Sequence, residues 1–292
     1  MNVLANMLFG AVSGSAAASA AANGGFMAPL MKKEGYDRDF GAAVNISSSI
    51  TGLLIPPSNV MVVYSLASGG VSIAALFVAG YVPGLLLGLV LMVVGGVIAK
   101  RRGYPVGEPI GFAQGWRIFL AALPSLALVL LIMGGIILGW FTPTEASAVA
   151  VLYTFVLAVL IYREIKWSEL PKIVTESAAT TAIVLLLIGA SMGMSWVMSS
   201  ANIPQTVSAA LLGLTENKLL LLLVINVLLL VVGTFMDMTP AVLIFTPILL
   251  PVVQRFGVDP VHFGLMMIFN LCIGLCTPPV GSVLFIGSSV AK

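Results

Sequence analysis

The sequence predicts an all-α polytopic membrane protein in which two re-entrant hairpins and two broken helices form an inverted repeat. Of its 292 residues 60% are hydrophobic and only 8% charged, with a mean hydropathy of +1.13, which is too apolar for a soluble domain. Two long apolar segments are interrupted by paired prolines in the same Gly-Leu-x-x-Pro-Pro frame, at residues 52–57 and 274–279. The basic residues also fall mostly on one side of the expected membrane topology.

The charged residues and the cysteines indicate neither a nucleic-acid surface nor a metal centre. The formal net charge is only +2, and we interpret the Lys and Arg residues as topology signals, so no nucleic-acid partner is expected. Cys272 and Cys276 lie four residues apart in one apolar segment. Two ligands are too few for zinc, and a disulfide along one helical turn has poor geometry. We expect both to be buried small apolar residues.

The first unit begins with an interrupted apolar segment, residues 3–31. Ser13, Gly14 and Ser15 interrupt it after about ten residues, which cannot cross a hydrocarbon core about 30 Å thick at about 1.5 Å per residue. Two half-helices with a polar tip predict a re-entrant hairpin, whose non-helical backbone must be buried in protein or line a cavity. The next segment, residues 40–66, carries the first Pro-Pro break.

The middle of the chain predicts ordinary spans at residues 72–99, 114–140, 146–162 and 173–198, and a short interfacial helix at residues 204–214. Thr142, Pro143 and Glu145 fit a capping box with proline at the first helical position. The predicted organisation is a first hairpin plus broken helix (1–68), a connecting span and cytoplasmic loop (69–113), scaffold helices (114–217) and a second hairpin plus broken helix (218–292).

The second unit repeats the first at an offset of 222 residues, the distance from Gly52 to Gly274. The same offset superposes Ser15 on Asp237, both at hairpin tips, and Gly35 on Gly257, Asp37 on Asp259 and Ser48 on Asn270. In the second hairpin we expect the half-helix after the tip to begin near Pro240, with Thr239 as its cap. The other half-helices are expected to begin near Ala16, Asn59 and Ser282.

The positive charges predict that the two units have opposite orientations. If residues 40–66 leave the cytoplasm, all of the 13 basic residues except Lys218 and Arg255 lie on the cytoplasmic side, as the positive-inside rule requires. The first unit then enters from the cytoplasm and the second from outside. Transporters with such inverted repeats place their substrate site at the membrane midplane, between discontinuous helices.

The repeat also predicts that the chain is truncated at both ends. Spans precede the second unit but not the first, and a span follows the first broken helix, whereas the second is followed only by the end of the chain. We therefore expect leading scaffold helices and a last helix to be absent from this sequence.

The proline breaks predict two pseudo-symmetric Na⁺ sites. Proline removes a backbone donor and frees carbonyl groups of the preceding turn, and carbonyl and hydroxyl oxygens suit a hard cation. The predicted ligands are Ser13, Gly14, Gly52, Ile55 and Ser58 at the first site, and Gly233, Thr234, Gly274, Thr277 and Val280 at the second. The alternative is a pair of structural kinks whose carbonyls are satisfied by Ser and Thr hydroxyls.

The starts of the half-helices predict where an anionic substrate would bind. Helix N-termini carry partial positive charge, and no Lys or Arg lies within a hydrophobic core. The candidate substrate contacts are Ser15, Ser19, Asn59, Asp237 and Thr239. Asp237 is an acid at apparent membrane depth, where such residues are usually functional, although it could simply cap the following helix.

One motif is typical of a hydrolase, but its context argues against an enzyme. Residues 189–193, Gly-Ala-Ser-Met-Gly, match the nucleophile elbow, yet no strand precedes them and the one histidine, His262, is far away in the sequence. Small residues at this spacing are typical of helix packing. We expect no catalytic residue and no organic cofactor.

Several motifs, in order, resemble one transporter family. They are Ser-Gly-Ser-Ala at 13–16, Ile-Pro-Pro-Ser at 55–58, Phe-Thr-Pro-Thr-Glu-Ala at 141–146, Pro-Ile-Leu-Leu-Pro at 247–251 and Gly-Leu-Cys-Thr-Pro-Pro-Val-Gly at 274–281. They resemble the large permease (DctM-like) subunit of tripartite ATP-independent periplasmic (TRAP) transporters, of the ion-transporter superfamily. Asn59 and Val60 depart from the Ile-Pro that often follows in the family.

The resemblance implies a subunit of a secondary transporter in the bacterial inner membrane. Such a subunit imports an organic acid, of the C4-dicarboxylate, sialic acid or sugar acid class, by Na⁺-coupled symport. It implies an elevator-type motion, with the hairpins and broken helices as the transport domain. It also implies two partners, a small four-helix membrane subunit and a periplasmic substrate-binding protein.

Three alternatives remain open. The first is a stand-alone Na⁺/anion symporter of the same superfamily, which needs no binding protein. The second is an intramembrane hydrolase, which rests on Ser191 alone. The third is a truncated membrane protein that does not transport.

Overall fold

The computed structural model describes residues 1–105, 111–214 and 217–291, and this part of the chain contains helices and turns but no strand. Six of its helices are long and apolar enough to cross a membrane, or seven if the bent pair formed by residues 38–54 and 59–67 counts as one span. The predicted all-α polytopic membrane class is therefore confirmed.

The chain packs into two compact units, residues 1–107 together with 194–292, and residues 108–193. The compact unit formed by residues 1–107 and 194–292 contains both repeats. The assignment of transport and scaffold roles to segments of the chain stays a prediction.

The first repeat consists of a helical hairpin and a broken helix. Its helices are α1 (Asn2–Ser13), α2 (Ala16–Lys33), α3 (Arg38–Ser49), α4 (Thr51–Leu54) and α5 (Asn59–Ala67). Gly14 makes the turn in the left-handed region, with φ of 60°, and Ser15 accepts a hydrogen bond from the backbone N–H of Ala18 as the cap of α2. The broken helix bends by 49° between α4 and α5, where the prolines were expected to break it.

The α6 helix (Ile73–Arg101) packs its glycine face on this repeat. A Cβ added to Gly80 would lie 2.7 Å from the carbonyl oxygen of Leu54, and one added to Gly84 would lie 2.7 Å from Cγ1 of Ile55. Glycine at every fourth position lets a helix approach its neighbour closely. The α6 helix therefore packs directly against the backbone and side chains of the first break, at Leu54 and Ile55.

The other compact unit is formed by residues 108–193. It contains α7 (Phe112–Ile137), α8 (Pro143–Phe155) with a π-helical extension (Val156–Ile161), and most of α9 (Leu170–Ser200). The expected capping box is confirmed, because Glu145 N donates to Thr142 Oγ1 at 3.3 Å and Thr142 N donates to Glu145 Oε2 at 2.8 Å. Within this unit Tyr153 donates its hydroxyl to the carbonyl of Pro124 at 2.7 Å. The expected short helix after α9 is α10 (Ile203–Leu214).

The second repeat contains α11 (Lys218–Phe235), α12 (Met238–Arg255), α13 (Pro260–Leu275) and α14 (Ser282–Val290). Its helices follow the offset of 222 closely: adding it to the bounds of α2 gives the bounds of α12. The starts expected at Ala16, Asn59 and Ser282 are confirmed. The start expected at Pro240 was wrong, since α12 begins at Met238 with Asp237 at the cap position. Proline is tolerated anywhere in the first turn, because the N–H groups there have no intrahelical acceptor.

The two broken helices run antiparallel. Arg38, at the start of α3, donates its Nε to the carbonyl of Ala291, after the end of α14. Tyr64, near the end of α5, donates its hydroxyl to the carbonyl of Pro260, at the start of α13, at 2.6 Å. This is the relationship that an inverted repeat requires.

The last half-helix of each repeat packs on helices of the other repeat, so that the two repeats interlock. The α5 helix packs on α12 and α13 of the second repeat, and α14 packs on α2 and α3 of the first. Two glycines make room for these crossings: a Cβ on Gly264 would lie 2.3 Å from the ring of Tyr64, and one on Gly287 would lie 2.2 Å from Cγ1 of Ile46. Each repeat therefore completes the packing of the other.

Candidate functional site

Each Pro-Pro break lies against the tip of its own hairpin. In the first repeat a Cβ added to Gly14 would lie 3.1 Å from the carbonyl oxygen of Pro57 and 3.3 Å from the backbone nitrogen of Asn59. In the second repeat the backbone N–H of Val280 donates to the carbonyl of Thr234 at 3.1 Å. The structure therefore brings together the two elements from which each cation site was predicted.

A pair of glycines sets the spacing between each broken helix and the hairpin helix beside it. A Cβ added to Gly10 would lie 2.3 Å from the Cα of Gly52, and one added to Gly274 would lie 2.4 Å from the carbonyl carbon of Gly233. Gly10 was not among the predicted site residues. Its position, one helical turn before the Gly14 turn, is the only sequence signal that could have drawn attention to it.

Of the predicted ligands of the first site, Gly14 lies beside the break and the hydroxyl of Ser58 makes a hydrogen bond within it. Ser58 donates its Oγ to the carbonyl of Leu53 at 2.6 Å, which satisfies a carbonyl freed by the prolines, as the structural-kink alternative proposed. Ser13 Oγ lies 3.4 Å from the carbonyl oxygen of Ser15. Gly52 and Ile55 are buried in the break, and Ile55 N donates to the carbonyl of Thr51 at 2.9 Å.

In the second repeat, contacts between the hairpin and the break join Val280 to Thr234 and Gly274 to Gly233, all four of them predicted ligands. Thr277 donates its hydroxyl to the carbonyl of Ile273, and Thr234 donates its hydroxyl to that of Val231, each at 2.7 Å. A hydroxyl that donates its proton keeps lone pairs for a second partner. The oxygens of both sites, from carbonyls and hydroxyls, are therefore of the kind that hard cations prefer.

The candidate substrate contacts differ in their surroundings. Ser15 caps α2, and the exposed Asn59 lies beside the hairpin tip, its side-chain Cγ 3.5 Å from a Cβ built on Gly14. Thr239 is half-buried in the first turn of α12. Ser19 is fully buried, and its Oγ has no hydrogen-bond partner among the described residues.

Asp237 is exposed at the start of α12, and its side chain makes no capping hydrogen bond. Its carboxylate instead accepts a hydrogen bond from Ser282 Oγ, the first residue of α14, at 3.4 Å. Asp237 therefore joins the tip of the second hairpin to the half-helix after the second break. Ser282, which sequence reasoning did not select, is the partner that this geometry adds.

The cysteines lie where the antiparallel helices cross. Cys272 is fully buried and its Sγ lies 4.0 Å from the carbonyl oxygen of Ile50; Cys276 Sγ lies 3.4 Å from that of Ile46. Both are free, as expected, although Cys276 is only partly buried. Ile50 and Cys272 are also equivalent positions of the repeat, 222 residues apart, so the pseudo-two-fold axis passes between them.

Comparison with known proteins identifies the family of this chain. The family model described as "Tripartite ATP-independent periplasmic transporter, DctM component" matches residues 1–292. The chain belongs to the DctM family of TRAP transporters. The resemblance inferred from the sequence motifs is therefore confirmed.

Several DctM relatives are similar over nearly the whole chain. The chain is 59% identical over 291 residues to an uncharacterised protein, YgiK, of Salmonella typhimurium, and covers 67% of that protein. It is 42% identical over 288 residues to the C4-dicarboxylate TRAP transporter large permease protein DctM of Pseudomonas aeruginosa, and covers 67% of it. It is 39% identical over 290 residues to the sialic acid TRAP transporter large permease protein SiaM of Vibrio cholerae, and covers 68% of it.

Proposed function

We propose that this DctM chain is part of a secondary transporter subunit that imports an organic acid anion across the bacterial inner membrane with Na⁺ coupling. The similar large permeases are named for C4-dicarboxylates, sialic acid and 2,3-diketo-L-gulonate. These compounds share a carboxylate and differ in the rest of the molecule. A further relative is named for isethionate, whose acid group is a sulfonate, so the group that we expect this chain to recognise is an anionic acid group.

The observation that carries the proposal is the pair of antiparallel broken helices, each with its Pro-Pro break against a hairpin tip. Such breaks supply carbonyl oxygens for cations and helix N-termini for anions inside a membrane. The fully buried hydroxyl of Ser19 has no hydrogen-bond partner in the part of the chain that the structure describes. Because buried polar groups rarely lack a partner, this supports a bound species in the first repeat. We assign the predicted oxygen sets to two Na⁺ ions.

The same architecture supports re-entrant hairpins and an elevator motion. The α1 helix has 12 residues, about 18 Å at about 1.5 Å per residue, which is too short for a hydrocarbon core of about 30 Å. The helices of the second hairpin have 18 residues each, close to a full span. Whether its helices are short or nearly span the membrane, a hairpin ends on the side from which it entered. The distribution of basic residues therefore fits re-entrant and spanning hairpins equally well. We propose that the interlocked repeats move together as the transport domain.

We also propose two partners, a small membrane subunit and a periplasmic binding protein that delivers the substrate. The family description supports this with the words tripartite and periplasmic. A relative named isethionate TRAP transporter permease protein DctMQ is covered by the chain over only 45% of its length, which fits a second membrane subunit fused to the first.

Uptake into proteoliposomes tests the proposal. The chain, reconstituted with its small subunit, should take up a labelled carboxylate only when an inward Na⁺ gradient and the binding protein are both present. Uptake without the binding protein would favour a stand-alone symporter. A purified chain that neither binds nor moves Na⁺ would favour the non-transporting alternative.

Cysteine crosslinking tests the elevator motion. A cysteine at position 13 is paired in turn with cysteines along α9, and each pair is oxidised to completion. A pair that forms a disulfide in one state should stop uptake, and reduction should restore it. Undiminished uptake after complete crosslinking would refute the motion.

A further inference from the structure

A network of three asparagines and a serine, all buried except the half-buried Asn23, joins α1, α2 and α3 in the first repeat. Asn6, on α1, is fully buried. Its Nδ2 lies 2.7 Å from Ser48 Oγ and 3.1 Å from Asn45 Oδ1, both on α3. Its Oδ1 accepts a hydrogen bond from Asn23 Nδ2, on α2, at 2.8 Å. One side chain therefore contacts both other helices.

Asn45 closes the network. Its Nδ2 donates to the carbonyl of Ala20 on α2 at 2.9 Å. Ala20 is the neighbour of Ser19, whose buried Oγ has no partner within the described ranges of the chain. Ser48 donates its hydroxyl to the carbonyl of Val44 at 2.6 Å, so the lone pairs of its oxygen can accept from Asn6. Amides buried in an apolar setting are costly without partners. The network therefore stabilises only the register in which all three helices meet.

The network lies close to the predicted first cation site along each helix. Asn6 precedes Ser13 by seven residues on α1, about 10 Å at about 1.5 Å per residue. Ser48 precedes Gly52 by one turn, and Ala20 follows Ser15 by little more than one. A shift between any two of these helices would move the oxygens of the hairpin tip away from those of the break.

The second repeat is joined more simply. Asn270, the counterpart of Ser48, donates its Nδ2 to Asn226 Oδ1, which connects α13 with α11. Between α12 and α13, Thr246 Oγ1 lies 3.5 Å from Met267 Sδ, and a thioether is a weak acceptor. The three-helix amide network is thus a feature of the first repeat that the pseudo-symmetry does not require.

We infer that Asn6 is a positioning residue, which holds the hairpin tip against the Pro-Pro break so that the first Na⁺ site is formed before the ion binds. The inference rests on the proposed Na⁺ coupling. Residues that orient a cation's ligands without touching the ion commonly change its affinity about tenfold or more when they are removed. The same scale is expected here.

Sodium-dependent thermal stabilisation of the purified full-length chain tests this role without requiring transport. The melting temperature is followed as NaCl replaces choline chloride at constant ionic strength, and the half-saturating Na⁺ concentration is extracted. Asn6→Leu should raise that concentration about tenfold, Asn23→Ala should raise it less, and Asn6→Gln should restore part of the loss. Asn23→Ala also decides the question if Asn6→Leu does not fold.

Ser65→Ala is the matched control. Ser65 is buried, lies seven residues beyond Ser58 on α5, and donates to the carbonyl of Val71 at 2.5 Å, so its loss should lower stability without changing the Na⁺ midpoint. A midpoint unchanged in the Asn6 and Asn23 variants, with lower stability alone, would overturn the positioning role. A wild-type chain that Na⁺ does not stabilise more than choline would overturn the proposed coupling itself, and the inference with it.

Discussion

Gly52 of the first broken helix lies against Gly10 of the adjacent hairpin at backbone distance: a Cβ added to Gly52 would lie 2.4 Å from the Cα of Gly10. Gly274 and Gly233 have the same relationship in the second repeat, where the added Cβ would lie 2.5 Å from the Cα of Gly233. Because neither contact has room for a methyl group, each break is held at the closest spacing that two helices allow. Packing thus fixes the two elements that carry the predicted ligands of each site.

Replacing Gly52 with alanine should separate the break from the hairpin. We expect Gly52→Ala to lower the free energy of unfolding by about 1–3 kcal/mol, the usual cost of overpacking, as measured by thermal or denaturant unfolding. Gly95→Ala is the control, because a Cβ there meets nothing within 4 Å. It should be neutral or stabilising by up to about 1 kcal/mol, since alanine favours a helix. Equal effects of the two substitutions would contradict the packing role.

Thr277→Val should weaken Na⁺ coupling more than folding. Valine has nearly the shape of threonine but no oxygen, and the hydroxyl it removes is one of the proposed ligands of the second site. We expect the Na⁺ concentration for half-maximal uptake to rise about tenfold, while the loss of the hydrogen bond to Ile273 costs about 1 kcal/mol of stability. Unchanged Na⁺ dependence would remove Thr277 from the site.

Asp237→Asn should reduce uptake with little change in stability. The carboxylate is exposed, makes no capping hydrogen bond and accepts from Ser282, so an amide of the same shape should change the free energy of unfolding by no more than about 0.5 kcal/mol. Loss of the charge should nevertheless lower the rate of Na⁺-driven uptake, because acids at membrane depth commonly serve transport. A purely structural role predicts the reverse, lower stability and normal uptake.

The Thr142–Glu145 capping box should matter for stability and not for transport. Glu145→Ala removes the side chain that accepts from the backbone N–H of Thr142, and we expect a lower free energy of unfolding because that N–H loses its acceptor. Glu145→Gln preserves the box and should stay close to wild type. If Glu145→Gln abolished uptake with normal stability, Glu145 would have a functional role that the box does not explain.

Ser191→Ala should leave uptake and stability unchanged. Ser191 lies within α9 and not on a strand–turn–helix elbow, so the geometry that activates a nucleophile is absent there. Uptake and unfolding of the variant are compared with wild type. Loss of uptake at normal stability would reopen the hydrolase alternative.

Periodicity and the two Pro-Pro frames predicted the helices well because both signals are local. The half-helix starts at Ala16, Asn59 and Ser282, and the capping box at Thr142, agree with the structure. The start near Pro240 was wrong because proline fits several positions of a first turn, and local chemistry does not choose among them. The Gly10–Gly52 contact and the Asn6 network were missed because each joins residues far apart in the chain.

The sequence by itself determined the membrane class, the inverted repeat and the family, because apolar content, proline breaks and charge asymmetry are properties of order along the chain. Only the tertiary structure decided how the repeats fit together. It showed that α5 and α14 pack on the opposite repeat, that Ser58 donates to a freed carbonyl, and that Asp237 accepts from Ser282. It also showed that Ser19 has no hydrogen-bond partner among the residues described. These contacts depend on the close approach of segments that are far apart in the chain. Glycine allows that approach, and the periodicity of the sequence does not predict it.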